Sequence, residues 1–307
     1  MKKLKIIAKR LLAKGFIAGQ SLGVDILPRH FYSEVPFISR LKKTQSWRKP
    51  LCLDEVLGAN DFEGQAEFLN SIATERAKEL LKQRDVHKEA CDRNGAVGFG
   101  PIESNCLYAF VFTKRPATIV QVGCGVSTAL CEMAANDAGF SPRIICIDPF
   151  PTDFLVRAAR ENRIELISQP VEDTDISVLS KLQTGDLFFV DSTHTLGPAG
   201  EVTRITLEML PQVPQGVFVH FHDIWLPYDY SPIIFEQPLF FWHETALLAA
   251  YLSGNNRWRV QLSLSMLHHG RPESLSHAFP IYKPASMNQG IKTSEGHFPS
   301  SIYLQTQ

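Results

Sequence analysis

Residues that can do chemistry follow four apolar runs of this 307-residue chain, each at the point where the run ends. In a parallel sheet all strands direct their carboxyl ends toward one edge, and ligands bind in the crevice at that edge. If the runs are strands of one sheet, the residues that follow them meet there. They are Gly123 and Gly125, then Asp148, then Asp191 and His194, and finally His220, His222 and Asp223.

The segment ATIVQVGCGVST, residues 117–128, joins a buried strand to the start of a helix. Its apolar, β-branched run is typical of a strand covered on both faces. Gly123 and Gly125 lack the Cβ atoms that would keep a ligand away from the backbone. The following helix start offers free N–H groups and the positive end of a dipole. The segment therefore predicts a cradle for a ligand.

Asp148 lies 23 residues beyond Gly125, at the end of the second run. A carboxylate in this position can accept hydrogen bonds from both hydroxyls of a ribose, which indicates an adenosine-type ligand. The structural alternative is that Asp148 caps the turn at Pro149. Thr128 stands where a dinucleotide motif has its third glycine, and this counts against a dinucleotide.

The elements that must position these residues alternate between strands and helices. Strands are predicted at Thr118–Val122, 143–148, 164–167, 186–191, 216–221, Trp258–Ser263 and, as a final edge strand, 301–304, with helices at 127–136, 153–161, 176–182, 200–210 and 242–252. Alternation at this spacing predicts βαβ units with right-handed crossovers. The expected fold class is α/β, with a doubly wound, mainly parallel, seven-stranded sheet behind a helical N-terminal extension.

The extension is a basic arm and connector, residues 1–95, and the main domain is residues 96–307. Residues 1–50 contain twelve Lys and Arg against two acids, whereas the rest of the chain has a net charge of −11. A helix over 2–18 packs on the domain or on a second subunit of a homo-oligomer; the alternative is contact with an anionic membrane face. We predict an extended connector at 19–50, a long helix at 61–84, a loop around 94–101, a helix at 102–113 and an irregular segment at 264–300.

The six cysteines show no CxxC pair and no metal spacing, which indicates reduced thiols in a cytoplasmic protein. No secretory signal is apparent, because Lys9, Arg10 and Lys14 interrupt the apolar residues near the start. The expected location is cytoplasmic, with peripheral contact at the inner face of the membrane through the basic arm.

Four motifs in order resemble the class I S-adenosylmethionine (AdoMet)-dependent methyltransferases, and within them the bacterial group called methyltransferase family 24. The motifs are VGCGVST, ICIDPFP, GDLFFVDSTHT and HFHDIWLPYDY, and the segment WHETALLAAYL followed by NNRWRV adds to the likeness. The resemblance covers residues 100–265. It implies a Rossmann-like methyltransferase fold and AdoMet as cofactor.

The resemblance also implies roles for individual residues. Gly123 and Gly125 lie against the methionine portion of AdoMet, with Ser127 and Thr128 capping the adjacent helix. Asp148 binds the ribose, Glu172 and Asp173 flank the adenine, and Asp191 lies beside the sulfonium. Where the family has an acidic residue this chain has Gln121, whose amide oxygen can still accept a hydrogen bond from the cofactor's ammonium.

A hydroxyl acceptor must lose its proton, and two mechanisms provide for this. In the first, His222 or His194 is the general base, with Asp191 beside the reacting centre. In the second, Asp191 and Asp223 help to hold Mg²⁺, which takes oxygen ligands. The expected activity is O-methylation of a hydroxyl on a small molecule, sugar or glycan.

The remaining histidines and aromatic residues receive other interpretations. His220 is expected to be a hydrogen-bonded core histidine, and His268 and His269 to be surface residues. Trp225, Tyr228 and Tyr230 either overhang the acceptor pocket as aromatic walls or form a packed loop.

Two rival functions share parts of this pattern. An NAD(P)-dependent oxidoreductase uses the same glycine turn and Asp148, and a non-catalytic methyltransferase-like scaffold keeps only the fold. A nucleic-acid substrate is disfavoured, because the basic charge lies in the arm and no recognition module is apparent.

Overall fold

A computed structural model describes residues 2–25, 27, 29–33, 35–51, 53, 61–231, 241–283, 286–288, 291–293 and 298–307. The chain divides into two compact units, Met1–Thr44 and Gln45–Gln307. This division falls earlier than the boundary at residue 95 that the sequence suggested. The reason is that the helices between residues 62 and 94 pack into the core of the second unit.

The first unit contains helix α1 (Lys2–Gln20) and helix α2 (Ile38–Thr44). The predicted helix at 2–18 is confirmed. The connector predicted at 19–50 is not wholly extended, because it includes α2 and the 3₁₀ helix Ser46–Arg48, which opens the second unit. Among the described residues, no helix combines the length and the apolar character that a bilayer-spanning segment needs.

The second unit consists of ten further α-helices and nine strands among its described residues. The helices are α3 (Phe62–Ile72), α4 (Glu75–Gln83), α5 (Val86–Asn94), α6 (Pro101–Lys114), α7 (Val126–Ala138), α8 (Asp153–Arg160), α9 (Glu201–Arg204), α10 (Glu244–Leu252), α11 (Leu264–Gly270) and α12 (Pro272–Ala278). The strands are β1 (Thr118–Val122), β2 (Arg143–Ile147), β3 (Glu165–Ile167), β4 (Leu187–Val190), β5 (Phe218–Phe221), β6 (Trp258–Ser263), β7 (Ser286–Asn288), β8 (Ile291–Thr293) and β9 (Ile302–Thr306). Short 3₁₀ helices lie at Val171–Asp173, Ile176–Lys181 and Leu210–Gln212, and a π-helical turn at Ile205–Met209 continues α9.

Seven strands form one sheet in the order β3-β2-β1-β4-β5-β9-β6. The first five strands are parallel, and β9 pairs antiparallel with both β5 and β6. The predicted α/β fold with a mainly parallel, doubly wound sheet is confirmed. The prediction of a final edge strand is wrong, because β9 is inserted between β5 and β6, where its backbone groups have partners on both sides.

Alternate residues of the central strands serve two hydrophobic cores, one on each face of the sheet. On β1, Ile119 packs with the layer formed by α3 to α7, whereas Val120 and Val122 pack with the 3₁₀ helix Ile176–Lys181 and α10 on the other face. Burial on both faces explains why the strands have continuous apolar sequences rather than alternating ones.

The helix predicted at 61–84 is two helices, because Thr74 starts a new one. Its hydroxyl accepts a hydrogen bond from the N–H of Ala77 (3.3 Å), as expected of an N-cap. The sequence analysis also missed α5, which Asp85 caps at Lys88 and which ends at Gly95 in the left-handed conformation. The segment 264–300 is not irregular throughout, since it contains α11, α12 and the β7–β8 hairpin.

The five described cysteines are all free thiols. This agrees with the expected reduced state for those five, and Cys52 lies outside the described residues. The loop predicted after β5 is described as far as residue 231.

Candidate active site

The carboxyl ends of β2, β1 and β4 bring the predicted cofactor residues together. The backbone N–H of Cys124 donates to Oδ2 of Asp148 (3.2 Å), which joins the glycine turn to the end of β2. On the other side, the N–H of Asp191 donates to the carbonyl of Val122 (2.9 Å). The glycine turn, Asp148 and Asp191 therefore form one continuous edge, as the sequence predicted.

Gly123 is required by its neighbours as well as by its backbone angle, and Gly125 by its backbone angle. Gly123 has φ +74°, and a Cβ there would lie 1.9 Å from the carbonyl oxygen of Asp191. Gly125 has φ +131°, and its Cβ would lie 3.0 Å from the side-chain amide of Asn94. The chain therefore needs glycine at position 123 simply to let the loop after β4 pass, in addition to any close approach of a ligand.

Asp148 caps the turn that follows it and retains capacity for a ligand. Oδ1 accepts from the N–H of Phe150 (2.8 Å), so the structural alternative, a cap on the turn at Pro149, is present. Oδ2 accepts from Cys124. Because each carboxylate oxygen has two acceptor positions, the side chain can still accept two ribose hydroxyls. The two interpretations of Asp148 are compatible.

Gln121 and Thr128 hold the turn from inside the protein. The hydroxyl of Thr128 donates to Oε1 of Gln121 (2.7 Å) and accepts from the N–H of Gly125 (3.2 Å). Both side chains are fully buried, and Ser127 is nearly so. In this arrangement Gln121 and Thr128 offer no surface to a ligand, and their predicted contacts with AdoMet stay predictions.

Glu172 and Asp173 lie on the 3₁₀ helix Val171–Asp173, directly after β3. Both residues are exposed. Their side chains are therefore available to a ligand, and their predicted role beside the adenine stays a prediction.

His194 lies at the centre of three carboxylates. Its Nδ1 is 2.6 Å from Oε2 of Glu244. Its Nε2 is 3.5 Å from Oδ1 of Asp191 and 3.7 Å from Oδ2 of Asp223. Since both ring nitrogens face carboxylate oxygens, the arrangement suits an imidazolium that carries a hydrogen on each nitrogen.

The electrostatics of this cluster agree with its geometry. Burial on its own lowers the pKa of His194, but the hydrogen bonds to Asp191 and Glu244 and the charges of Glu244 and Asp223 outweigh it. The pKa of His194 is consequently raised well above its ordinary value. Burial would raise the pKa of Asp191, yet the neighbouring imidazoles of His222 and His194 lower it. Both ring nitrogens of His194 thus face carboxylates, and its predicted role as a general base stays a prediction.

The backbone around His194 fixes this position. His194 has φ +59°, a left-handed conformation that is uncommon for a residue with a side chain. Its N–H donates to Oγ of Ser192 (3.0 Å), and Oγ of Ser192 donates to Oε1 of Glu244 (2.9 Å). Its carbonyl accepts from the N–H of His243 (2.9 Å). These bonds tie the loop after β4 to the start of α10.

His222 and Asp223 complete the edge after β5. Nδ1 of His222 lies 3.3 Å from Oγ of Ser301, and its Nε2 lies 3.6 Å from Oδ1 of Asp223. The ring of His222 packs on that of Phe99, with centroids 4.6 Å apart. At 3.6 Å the Nε2–Asp223 contact is too long for a hydrogen bond, so this nitrogen is not committed to Asp223.

His220 is a core residue, but it lacks the expected hydrogen bonds. It is fully buried, and within the described part of the chain neither ring nitrogen has a hydrogen-bond partner. Its ring stacks on Phe189 at 4.6 Å and meets Tyr303 edge-on. Burial lowers the pKa of His220 to about 3, with a further contribution from His222. His220 is therefore neutral.

Two other predictions about side chains require correction or narrowing. His268 is not a surface residue: it lies buried on α11, and its Nδ1 is 2.7 Å from the hydroxyl of Tyr282. Trp225 packs on Phe298 and Tyr228 packs on His269, with both side chains nearly buried. These contacts favour the packed loop over aromatic walls for Trp225 and Tyr228, and leave Tyr230 half-buried.

Sequence reasoning missed the buried carboxylates that organise the edge. Glu244 is the acid within the apolar segment WHETALLAAYL, and an acidic residue inside such a run was the available signal. Glu103 is fully buried on α6, and its Oε1 accepts from the N–H of Ser300 (2.6 Å). Oγ of Ser300 donates to Oδ1 of Asp223 (2.8 Å), a contact across 77 positions that has no local signal.

The predicted Mg²⁺ ligands do not fit a metal in this arrangement. The described residues contain no group of three or more His, Cys, Asp and Glu side chains disposed to hold a metal ion. Asp191 and Asp223 both face the Nε2 of His194, at 3.5 and 3.7 Å. The ring of His194 therefore lies where a metal held by these two carboxylates would have to bind.

Comparisons with known proteins identify the family to which this chain belongs. Residues 120–224 match the family model described as a methyltransferase domain, methyltransferase family 24. An uncharacterized protein from Archaeoglobus fulgidus is 30% identical over 187 residues, which span 59% of this chain and 84% of that protein. The chain belongs to the class I AdoMet-dependent methyltransferases. Membership favours AdoMet over a nicotinamide cofactor, so the oxidoreductase rival is set aside.

Solved structures with a similar arrangement include two nucleoside-bound enzymes. One is the SAH-bound methyltransferase PaMTH1 from Podospora anserina, with 13% identity, a TM-score of 0.35, and coverage of 92% of this chain and 99% of that one. The other is the branched-chain polyamine synthase from Thermus thermophilus with 5′-methylthioadenosine, with 16% identity, a TM-score of 0.37, and coverage of 67% and 56%. Similarities of this size carry no conclusion about the activity of this methyltransferase.

The residues at the edge of this methyltransferase fit AdoMet. The glycine turn leaves backbone free of Cβ atoms beside the start of α7, and Asp148 keeps acceptor positions for the ribose. Asp191 is the partly exposed carboxylate on the neighbouring strand, suited to a sulfonium cation. When bound, AdoMet supplies the methyl group.

Proposed function

We propose that this methyltransferase transfers the methyl group to a hydroxyl oxygen of a small molecule, sugar or glycan. The observation that carries the proposal is the pair of carboxylates at Asp191 and Asp223, whose side chains are 31% and 18% exposed while His194 behind them is 7% exposed. Partly exposed carboxylates held at fixed positions can accept the hydrogen bond of a hydroxyl. They are thus suited to orienting an acceptor beside the sulfonium position.

Orientation is the main contribution that the protein makes in this reaction. Methyl transfer is a displacement at carbon, and alignment of acceptor, methyl group and sulfur with exclusion of water supplies most of the rate. Contacts with His194 fix the positions of Asp191 and Asp223, and Glu244 holds His194 from the opposite side. With AdoMet bound, the acceptor oxygen would form the new C–O bond as the C–S bond broke, and the electron pair of that bond would remain on sulfur.

His222 is the general base in this proposal. The hydroxyl proton of the acceptor passes to Nε2 of His222, which lies beside Asp223 without being hydrogen-bonded to it. Nδ1 of His222 faces the hydroxyl of Ser301, and this contact orients the ring. His194 is unsuited to the role because both of its nitrogens face carboxylates.

The test uses full-length protein with methyl-tritiated AdoMet and a panel of monosaccharides, catechol, and matched amines and thiols. We expect label in a hydroxylated acceptor and in none of the amines or thiols. His222→Ala should lower kcat about 100-fold with unchanged affinity for AdoMet, the usual size of a general-base contribution. His277→Ala, which removes a histidine from α12, is the matched control and should retain activity.

Two results would contradict the proposal. Label in amines alone would move the acceptor class from oxygen to nitrogen. Tight AdoMet binding without turnover on any acceptor would support the non-catalytic scaffold. A parallel assay with EDTA addresses Mg²⁺: activity that survives chelation supports the base mechanism, and activity that disappears would show that His194 moves aside for a metal.

A further inference from the structure

The first unit presents two aromatic rings at the tip of a closed turn, residues 29–33. The N–H of His30 donates to Oγ of Ser33 (2.9 Å), and the N–H of Ser33 donates back to the carbonyl of His30 (3.1 Å). The N–H of Tyr32 donates to Nδ1 of His30 (3.0 Å). Phe31 and Tyr32 are 94% and 83% exposed, and their rings meet edge to face at 5.1 Å. These three hydrogen bonds therefore fix an exposed aromatic pair.

Exposed apolar side chains are concentrated in the same unit. Ten of the fifteen exposed large hydrophobic residues in the described part of the chain fall within residues 11–37. They are Leu11, Leu12, Ile17, Leu22, Val24, Leu27, Phe31, Tyr32, Val35 and Phe37. The unit also contains a cavity of about 760 Å³, and Leu12, Phe16 and Leu27 are among the residues that line it. Apolar surface at this density marks an interaction site rather than ordinary solvent-facing surface.

The charge of the unit identifies the kind of surface that it fits. Residues 1–44 contain ten Lys and Arg and two acidic residues, a net charge of +8, whereas the other 263 residues have a net charge of −9. Arg29 lies beside the aromatic turn, with its guanidinium 4.1 Å from the ring of Phe37. Nucleic acid would use the positive charge but would leave the leucines and phenylalanines in water. An anionic bilayer uses both, since basic residues pair with headgroups while aromatic and aliphatic side chains enter the interface.

We propose that Met1–Thr44 is a membrane-docking unit that binds anionic lipid bilayers, with Phe31 and Tyr32 entering the interface and Lys14 and Arg29 contacting the headgroups. None of the residues assigned to the methyl-transfer site belongs to Met1–Thr44.

The experiment is sedimentation of the full-length protein with vesicles of phosphatidylcholine alone and of phosphatidylcholine with phosphatidylglycerol in equal parts. We expect binding to the anionic vesicles only, weakened in about 1 M salt, where the Debye length is about 3 Å. The double variant Phe31→Ser/Tyr32→Ser should reduce partitioning about tenfold or more, because it removes most of the transfer free energy of the two aromatic side chains that enter the interface. Lys14→Glu/Arg29→Glu should reduce it by a similar factor.

Matched substitutions in the second unit control for a general loss of solubility or charge. Leu207→Ser removes an exposed apolar side chain, and Arg157→Glu reverses an exposed charge on α8. Both should bind anionic vesicles within about twofold of the unaltered protein, as surface changes outside the interface do. Circular-dichroism melting of every variant shows that it is folded.

Several outcomes would overturn the proposal. Equal binding to neutral and anionic vesicles, or no binding to either, excludes an anionic bilayer as the partner. Binding of duplex DNA that is insensitive to the Phe31→Ser/Tyr32→Ser change would identify a nucleic-acid surface instead. If light scattering finds a dimer that this double variant dissociates, with no vesicle binding, the apolar surface belongs to a second copy of the chain.

Discussion

Nδ1 of His194 and Oε2 of Glu244 lie 2.6 Å apart, joining the loop after β4 to the first turn of α10 across 50 positions of sequence. Glu244 is fully buried, and its second oxygen accepts from Ser192. The opposite nitrogen of His194 faces Asp191 and Asp223, the two carboxylates that we propose orient the acceptor. The position of His194 between these carboxylates thus depends on a glutamate that is itself buried.

Replacement of Glu244 by Gln should impair both folding and catalysis. An amide cannot balance the charge of His194, and breaking a buried ion pair costs about 3 kcal/mol of unfolding free energy. We expect kcat to fall about tenfold or more with little change in AdoMet affinity, because Asp191 and Asp223 are no longer held in fixed positions relative to each other. The measurements are denaturant unfolding, steady-state kinetics and calorimetric titration with AdoMet.

The control for this change is Glu201→Gln. Oε2 of Glu201 accepts from the N–H of Thr193 (2.7 Å), and an amide oxygen can accept the same bond. Activity within about twofold of the parent is expected, as for changes that break no specific interaction. Equal losses in the two variants would mean that any nearby carboxylate serves, and that Glu244 has no particular role in positioning His194.

Substitution of Gly123 by Ala tests the packing of the glycine turn. The added Cβ would lie 1.9 Å from the carbonyl oxygen of Asp191, and φ +74° disfavours any side chain. Because backbone cannot yield as a flexible side chain does, we expect a loss of about 3 kcal/mol or more in unfolding free energy. Gly139 has a similar φ of +69° with nothing within 4 Å of its Cβ, so Gly139→Ala should cost only about 1 kcal/mol. A smaller loss at Gly123 than at Gly139 in urea denaturation would contradict the described packing.

Asp148 can be divided into its two roles by two substitutions. Asp148→Asn retains an acceptor for the N–H of Phe150, but its amide group replaces the oxygen that accepts from Cys124 and faces the ribose. We therefore expect AdoMet affinity reduced about tenfold or more, with a small loss of stability from the Cys124 contact. Asp148→Ala should lose the same affinity and, in addition, about 1 kcal/mol of stability through loss of the turn cap. Calorimetric titration and thermal melting separate the two effects. Unchanged affinity in both variants would remove Asp148 from the ribose site.

Much of the sheet could be predicted because its signals are local. β1 and β6 begin and end where the sequence predicted, since an apolar run bounded by turn residues defines a buried strand. The break between α3 and α4 was missed because apolar spacing continues across Thr74, and only the hydroxyl cap reveals it. The insertion of β9 between β5 and β6 has no local signal, because the neighbours of a strand are chosen by long-range packing.

The residues of the candidate site divide in the same way, into those that local signals reveal and those that depend on distant contacts. The edge residues Asp148, Asp191 and Asp223 follow from strand ends alone, since a parallel sheet aligns those ends. The role of His194 does not, because its charge depends on Glu244, which is distant in sequence. The burial of His268 was likewise hidden, since α11 acquires its buried face only by packing on other elements.

The two buried histidines on either side of this edge should give the protein opposing responses to pH. The pKa of His220 is lowered to about 3 from 6.5, so as the pH falls below about 6.5 the unfolded chain binds a proton that the folded one cannot. Stability should then decrease by about 1.4 kcal/mol per pH unit. The pKa of His194 is raised, so its contribution to stability is fully present below pH 6.5 and is lost as the pH rises through the folded value.

His220→Phe keeps an aromatic ring that stacks on Phe189 and removes the titrating group, so it should flatten the acid side of the stability curve and leave the alkaline side unchanged. Urea denaturation between pH 4 and 9 measures the acid and the alkaline side of the stability curve. An unaltered slope of stability against pH on the acid side in His220→Phe would show that the loss of stability in acid comes from other groups.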